Sequence, residues 1–318
     1  MLFKRWPAIA AAVIVGALVT YGVSDLSAAT IKVGSTKGSA NYQTAVAVTK
    51  YLTSNGIKAI PAPHNGQQQY TTKLHQGRID MGQGSLGELT NAYHGKNNHK
   101  GSPKDNLRIV ARLQCLFTGL IVPVDSDIKS FKDLKGVNYP GGFKSRPGLR
   151  LLLGAFLRNA DYGWEDVNEV ITSGIPESWK LYKTGRTDVA LGALGAGSML
   201  PINAARKSRW ISFDDSPEAV KRLLGDDFLG YEVHKKEPSK SYPLLKEAGN
   251  VMCVPYFLYT HKDMDGTVIY EIAKAMATAS FDGGFMSSFS KERVADLKNG
   301  IPHHYGAERA YRDLGLIK

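Results

Sequence analysis

Hydrophobic and polar positions divide the chain into two kinds of stretch. Residues 31–33, 57–62, 79–82, 137–139, 167–171 and 188–191 form short apolar runs of strand length. Between them, apolar positions recur at helical spacing, as at Tyr42, Ala45, Val46, Val48 and Leu52. Ser54-Asn55-Gly56 and Gly77 punctuate the first two helical stretches with residues that tolerate a left-handed conformation. The spacing predicts helices over 42–52, 67–76, 148–160, 178–184, 216–224, 267–280, 291–297 and 307–314, with one helical turn at 130–136. Two β-α-β-α-β series result, and each implies a parallel sheet with helices on its faces. Two longer apolar runs, 107–124 and 251–260, stand apart from the series. They read as strands crossing between two lobes. The expected fold is α/β and two-lobed, each lobe a mostly parallel sheet flanked by helices. Lobe I takes 30–120 and 254–318, and lobe II takes 121–253. The cleft between them would present strand ends and helix starts from both sides, the edge where open α/β sheets bind ligands.

The first 29 residues follow a different pattern. Lys4 and Arg5 precede an apolar stretch from Pro7 to Val23, and Ser27-Ala28-Ala29 supplies the small residues of a cleavage site. This is the pattern of a secretory signal, which places the mature chain in the periplasm, beginning near Thr30. No later stretch reaches the length of apolar sequence that a membrane span needs.

Composition narrows the function classes. With 43% hydrophobic and 22% charged residues in 318, the chain is of ordinary globular make-up and long enough for two domains. Lys and Arg number 40 against 29 Asp and Glu, a net charge of +11. The basic residues are scattered, with no run longer than two, which argues against a nucleic-acid arm and for small anionic ligands. Two cysteines exclude a disulfide scaffold and a CxxC metal or redox site. Both lie on the long crossing strands. Pairing 116–122 antiparallel with 254–260 would put them at opposite ends of the ladder, roughly 20 Å apart at about 3.4 Å per residue. Two buried free thiols are expected on that register.

Four loops carry candidate chemistry. Gly34–Asn41 joins a strand to a helix and offers backbone N–H groups, Ser35, Lys37, Gly38, Ser39 and Asn41 to an anion. It fits neither GxxxxGK[ST] nor GxGxxG, and a plain βα turn with an Asn41 cap is the alternative. In the second series, residues 141–148 hold the equivalent place with Lys144, Ser145 and Arg146. Gln83 and Ser85 follow the third strand of the first series, and Gly192 and Ala193 that of the second. Small residues there either leave room for a ligand or permit close packing. GxSxG and HExxH are absent, and the histidines show no metal spacing. Neither an enzymatic activity nor a cofactor is expected.

The order of these segments resembles the TAXI-type solute receptors of TRAP transporters, across nearly all of residues 31–317. Ile31 to Tyr42 looks like that family's first strand, loop and tyrosine, which adds Tyr42 to the candidate site. Leu74-His75-Gln76-Gly77-Arg78-Ile79-Asp80-Met81-Gly82, Phe131-Lys132-Asp133-Leu134-Lys135-Gly136, Thr184 to Ala190 and Tyr305 to Gly315 resemble its later steps. The chain departs from the pattern at Lys37, Ser39 and Ala40, at Tyr70 where an Asn is usual, and at 143–146. The resemblance implies a type II periplasmic-binding-protein fold. It also implies a receptor that closes on a small organic anion and delivers it to the TRAP membrane subunits. An enzyme or a sensor subunit on the same lobes is the rival reading.

Overall fold

The computed structural model describes residues 30–318 apart from 38, 145–146, 227, 229, 282–285 and 297–299; the leader expected at 1–29 lies outside the described residues. The first series forms β1 (Ile31–Thr36), α1 (Ala40–Ser54), β2 (Ala59–His64), α2 (Gln67–His75), β3 (Met81–Ser85) and α3 (Leu86–His94). β1 lies parallel between β2 and β3, as the alternation predicted. Gly56 and Gly77 carry positive φ angles, 83° and 67°, and end the first two helices as expected. The chain then runs through β4 (Leu107–Pro123) into β5 (Asn138–Gly142), α4 (Pro147–Asn159), β6 (Asn168–Thr172), α5 (Ile175–Lys183) and β7 (Ala190–Ala193). It continues through α6 (Met199–Ala205), β8 (Ser208–Ile211), α7 (Pro217–Leu224) and β9 (Glu232–Lys236). β10 (Gly249–His261) leads back to α8 (Gly266–Ala277) and α9 (Tyr305–Asp313).

The sheets are more mixed than the sequence suggests. β2, β1, β3, β10, β4 and β7 form one sheet in that order, with β8 added on β4 and β9 on β10. β4 and β10 pair antiparallel with each other and with β3, β7, β8 and β9. The expected parallel triplet of the second series is divided. β5 and β6 form a separate parallel ladder, while β7 pairs with β4. Four elements escaped the periodicity: α3, α6, β8 and β9. The last two are short and rich in Arg, Glu, His and Lys, so their pairing with β4 and β10 makes them strands rather than their own pattern. The helix expected over 291–297 is a single 3₁₀ turn, Lys291–Arg293. There the Val294 carbonyl accepts from the Arg112 N–H at 2.8 Å, tying the segment to β4.

One apolar core runs from Val33, Met81 and Leu258 to the ring cluster of Phe131, Phe156 and Phe213, where Phe131 stacks on Phe213 at 4.4 Å. A smaller core gathers Phe117, Trp210, Val251 and both cysteines. Among the described residues, no helix is long and apolar enough to cross a membrane.

The cysteines correct the expected register. Leu116 faces Val254, not Thr260, so Cys115 and Cys253 become diagonal neighbours, their Cα atoms 5.1 Å apart, and are joined by a disulfide. Both strands are almost continuously apolar and lack the alternation that would fix register from sequence. Neighbours on either side set it instead. Alkylation of the denatured chain without reductant should add no label, and after reduction two. The Cys115→Ser/Cys253→Ser variant should lose roughly 3–5 kcal/mol in denaturant melts, as expected for a bond closing a loop of 138 residues.

His303 adds a second expectation. It is 5% exposed, neither ring nitrogen has a partner among the described residues, and burial pulls its pKa down to about 4. An unfolded histidine titrates near 6.5. Stability is therefore unaffected by this group above that pH. It falls as pH drops from about 6.5 toward 4, because only the unfolded chain takes up the proton, and the loss approaches roughly 3 kcal/mol. Urea melts at pH 7.5 and 4.5 should show this drop, and His303→Leu should remove most of it.

Candidate functional site

β1 and β3 are parallel neighbours and end at one edge, where the chain turns into α1 and α3. The first turn of α1 is held down by Asn41, which is 5% exposed. Its Oδ1 accepts from the Thr36 N–H at 2.6 Å, and its Nδ2 donates to the Gln83 carbonyl and the Tyr70 hydroxyl, each at 3.2 Å. Gln83 answers by donating from Nε2 to the Asn41 carbonyl at 2.6 Å. Tyr70 donates to the Gln83 carbonyl at 2.7 Å, and burial pushes its phenol well above the ordinary range, so it stays a donor. Asn41 therefore lies inside the helix, and Ser39 occupies the cap position, its hydroxyl turned back to the Thr36 carbonyl at 2.7 Å.

Among the described residues, three buried polar atoms at this edge have no partner: Ser35 Oγ, Gln83 Oε1 and Gln114 Oε1. Gln114 reaches the same helix from β4, donating Nε2 to Thr44 Oγ1 at 2.6 Å. Thr44 in turn donates to the Ala40 carbonyl at 3.3 Å. Those contacts orient both amides and leave each carbonyl oxygen unused. α1 has no side-chain cap; its Tyr42 N–H turns back to the Ser39 carbonyl at 3.0 Å, and the positive end of its dipole faces this edge. The start of α3 differs. The Tyr231 hydroxyl accepts from the Gly87 N–H at 3.0 Å. Gln67 clamps Ser85, accepting from its N–H at 3.1 Å and donating to its carbonyl at 3.2 Å. A side chain at Gly84 would collide with Gln67, at 2.3 Å.

The remaining candidates are not gathered here. Lys37 and Lys144 are exposed, and neither has an ion pair among the described residues. Tyr42 is half-buried on α1. Gly38, Ser145 and Arg146 lie outside the described residues. Before them, Phe143 is fully buried at a φ of 50°, a strained conformation for a bulky residue, and fixes the loop after β5. Glu169 braces that loop. It accepts from the Gly142 N–H at 2.9 Å and from Arg150 at 2.9 and 3.0 Å. The Arg150 bond holds its carboxyl below the usual range, and Arg150 lies over Trp164 at 4.2 Å. Gly192 and Ala193 pair with β4, and Thr118 donates to the Gly192 carbonyl at 2.8 Å. A Cβ at Gly192 would meet Trp210 at 2.7 Å, so this glycine serves packing. Ala193 lines a cavity of about 280 Å³ with Met199, Leu200, Tyr242 and Ser287.

The sequence reading named Ser35, Asn41 and Gln83, which the structure brings to this edge, and did not name Gln114, Gln67 or the role of Tyr70. The one signal for Gln114 is an amide flanked by Leu113 and Cys115 inside a strand that is buried along most of its length. Asn41→Ala should destabilise the fold by roughly 2–4 kcal/mol, since it strands the Thr36 N–H and removes three buried bonds. Thermal melts and amide exchange at Thr36 check this.

A match to the model of the NMT1-like family spans residues 31–315. In fold, the chain is similar to the sulfonate-binding protein SsuA of a putative sulfonate ABC transporter from Methylobacillus flagellatus KT. The two are 16% identical, with a TM-score of 0.54 over 92% of this chain and 96% of that one. PhnD1 from Prochlorococcus marinus, solved with methylphosphonate, is 13% identical with a TM-score of 0.48 over 91% of this chain and 99% of that one. The alkanesulfonate-binding SsuA of Xanthomonas axonopodis pv. citri, bound to MOPS, is 14% identical with a TM-score of 0.47 over 79% and 72%. The fold is that of a two-lobed periplasmic binding protein, as the motif order implied, although the matching family is described as NMT1-like and not as a TRAP receptor. By the extent of that match, the chain belongs to the NMT1-like family.

Proposed function

We propose that this protein is an exported solute receptor that captures a small organic anion at the start of α1 and hands it to a membrane permease. The carrying observation is the set of buried, unpartnered Ser35 Oγ, Gln83 Oε1 and Gln114 Oε1 beside an uncapped helix start. Buried polar groups are normally satisfied, and three at one sheet edge suit a ligand that completes them. The hydroxyl and the helix N–H groups donate, which suits an oxyanion. The two amide oxygens only accept, so the ligand also carries an O–H or N–H group. A hydroxy or amino acid with a sulfonate, phosphonate or carboxylate head fits that description.

In this reading the two lobes are 30–120 with 254–318, and 121–253. Ser35, Lys37, Ser39, Gln83 and Ser85 of the first lobe would meet Lys144, Ser145, Arg146 and Ala193 of the second across the cleft when it closes. The likeness to a sulfonate receptor of an ABC transporter puts sulfonates first among the heads and an ATP-driven permease first among the partners. An ion-driven TRAP permease is the alternative that the motifs favour. The signal-like sequence pattern of residues 1–29 supports a periplasmic location.

A thermal-shift panel of hydroxy and amino sulfonates, phosphonates and carboxylates tests this reading. A true ligand at 100-fold over its Kd should add about 2.7 kcal/mol of stability. Ser35→Ala and Gln114→Leu should each weaken that ligand five- to tenfold or more in calorimetry. A panel without one stabilising anion, or two variants that bind like the parent, overturns it.

A further inference from the structure

We propose that, once the Cys115–Cys253 bond is opened, the chain binds one monovalent copper ion between the two sulfurs and the His234 ring. The two sulfurs and a His234 ring nitrogen all lie within 4.8 Å of one another. Three paired strands bring them together. Phe117 faces Cys253 across β4 and β10, and His234 faces Val251 across β9 and β10.

The donor set is the one soft metals select, two thiolates and an imidazole. His234 is also dressed as a metal ligand usually is. Its Nε2 bonds the Glu232 carboxylate at 2.7 Å, which fixes the tautomer and leaves the lone pair on the other nitrogen. Ring packing against Phe117 at 5.7 Å holds the imidazole's orientation. The side chain of His234 is 31% exposed while Cys253 is buried, so an ion enters from the histidine side.

Charge and coordination number decide which metal. A guanidinium nitrogen of Arg112 lies 3.7 Å from Cys115 Sγ and 4.0 Å from Cys253 Sγ. It favours thiolates over thiols and opposes a dication. Asp296 and Glu232 hold Arg112 in place, and Arg293 bridges the same two carboxylates. Among the described residues no fourth side chain joins the cluster, so the tetrahedral site that zinc prefers is incomplete. Three soft ligands beside a fixed cation suit Cu(I).

The step balances with a dithiol reductant. Its two thiols give two electrons and two protons to the disulfide, become a disulfide themselves, and leave Cys115 and Cys253 as thiols. Cu(I) then displaces both thiol protons to solvent. The disulfide form has no thiolate to offer and does not bind.

The test uses the whole protein, opened with dithiothreitol, desalted without oxygen and titrated with Cu(I) against a chromophoric chelator. The reduced protein should take one equivalent and show thiolate-to-copper absorption in the ultraviolet, and the oxidised protein should take none. His234→Ala should bind at least tenfold more weakly, and Cys115→Ser should lose the site. A dithiol in an unfolded chain would bind equally well with or without His234. Equal affinity of the parent and His234→Ala therefore overturns the proposal even if reduction loosens the fold. So does binding by the disulfide form, or no copper taken up by the reduced parent.

Discussion

The antiparallel pairing of β4 with β10 is the constraint on which the rest of the molecule depends. These two strands sit in the middle of the eight-stranded sheet, with β3 and β9 along the outer side of β10, β7 along the outer side of β4, and β8 on the side of β4 that faces β10. Every later placement is inherited from their register. It sets Cys115 beside Cys253, and Phe117 beside His234. It is also crosslinked. The disulfide closes 138 residues of chain, including the whole second series, so it restricts the unfolded ensemble strongly while fixing one alignment in the folded one. Two irregularities, one beginning at Pro255 where no N–H is available, each shift the register by one residue.

The edge of β1 and β3 shows a division of labour between groups that hold and groups that are left over. Asn41, Tyr70 and Gln67 spend their hydrogen bonds on the backbone of neighbouring elements. Ser35, Gln83 and Gln114 retain an atom each with no partner. Neutral donors and acceptors suit a receptor. A fixed buried charge would demand its own counterion whenever the ligand was away, and desolvating it would be costly. Helix N–H groups attract an anion without that penalty. This places the formal positive charges of the loops, Lys37 and Lys144 among them, at the surface, where they act over distance on an approaching anion.

What the sequence determined by itself was the local grammar: six short strands, most helices, the left-handed glycines that end two of them, and the β-α-β order from which a two-lobed fold follows. These depend on periodicity and on turn chemistry, and both act over a few neighbouring residues. It also named Ser35, Asn41 and Gln83, because they stand at a strand-to-helix junction. Tertiary structure alone decided the register of β4 against β10. A strand that is apolar on both faces buries itself equally well in several alignments, and the choice falls to partners far away in the chain. The same reason hid β8 and β9, which are strands only because β4 and β10 offer them unpaired edges. It hid the disulfide, and it hid Gln114. Until the strand is placed beneath α1, an amide in an apolar run gives no hint of whether its oxygen will find a partner.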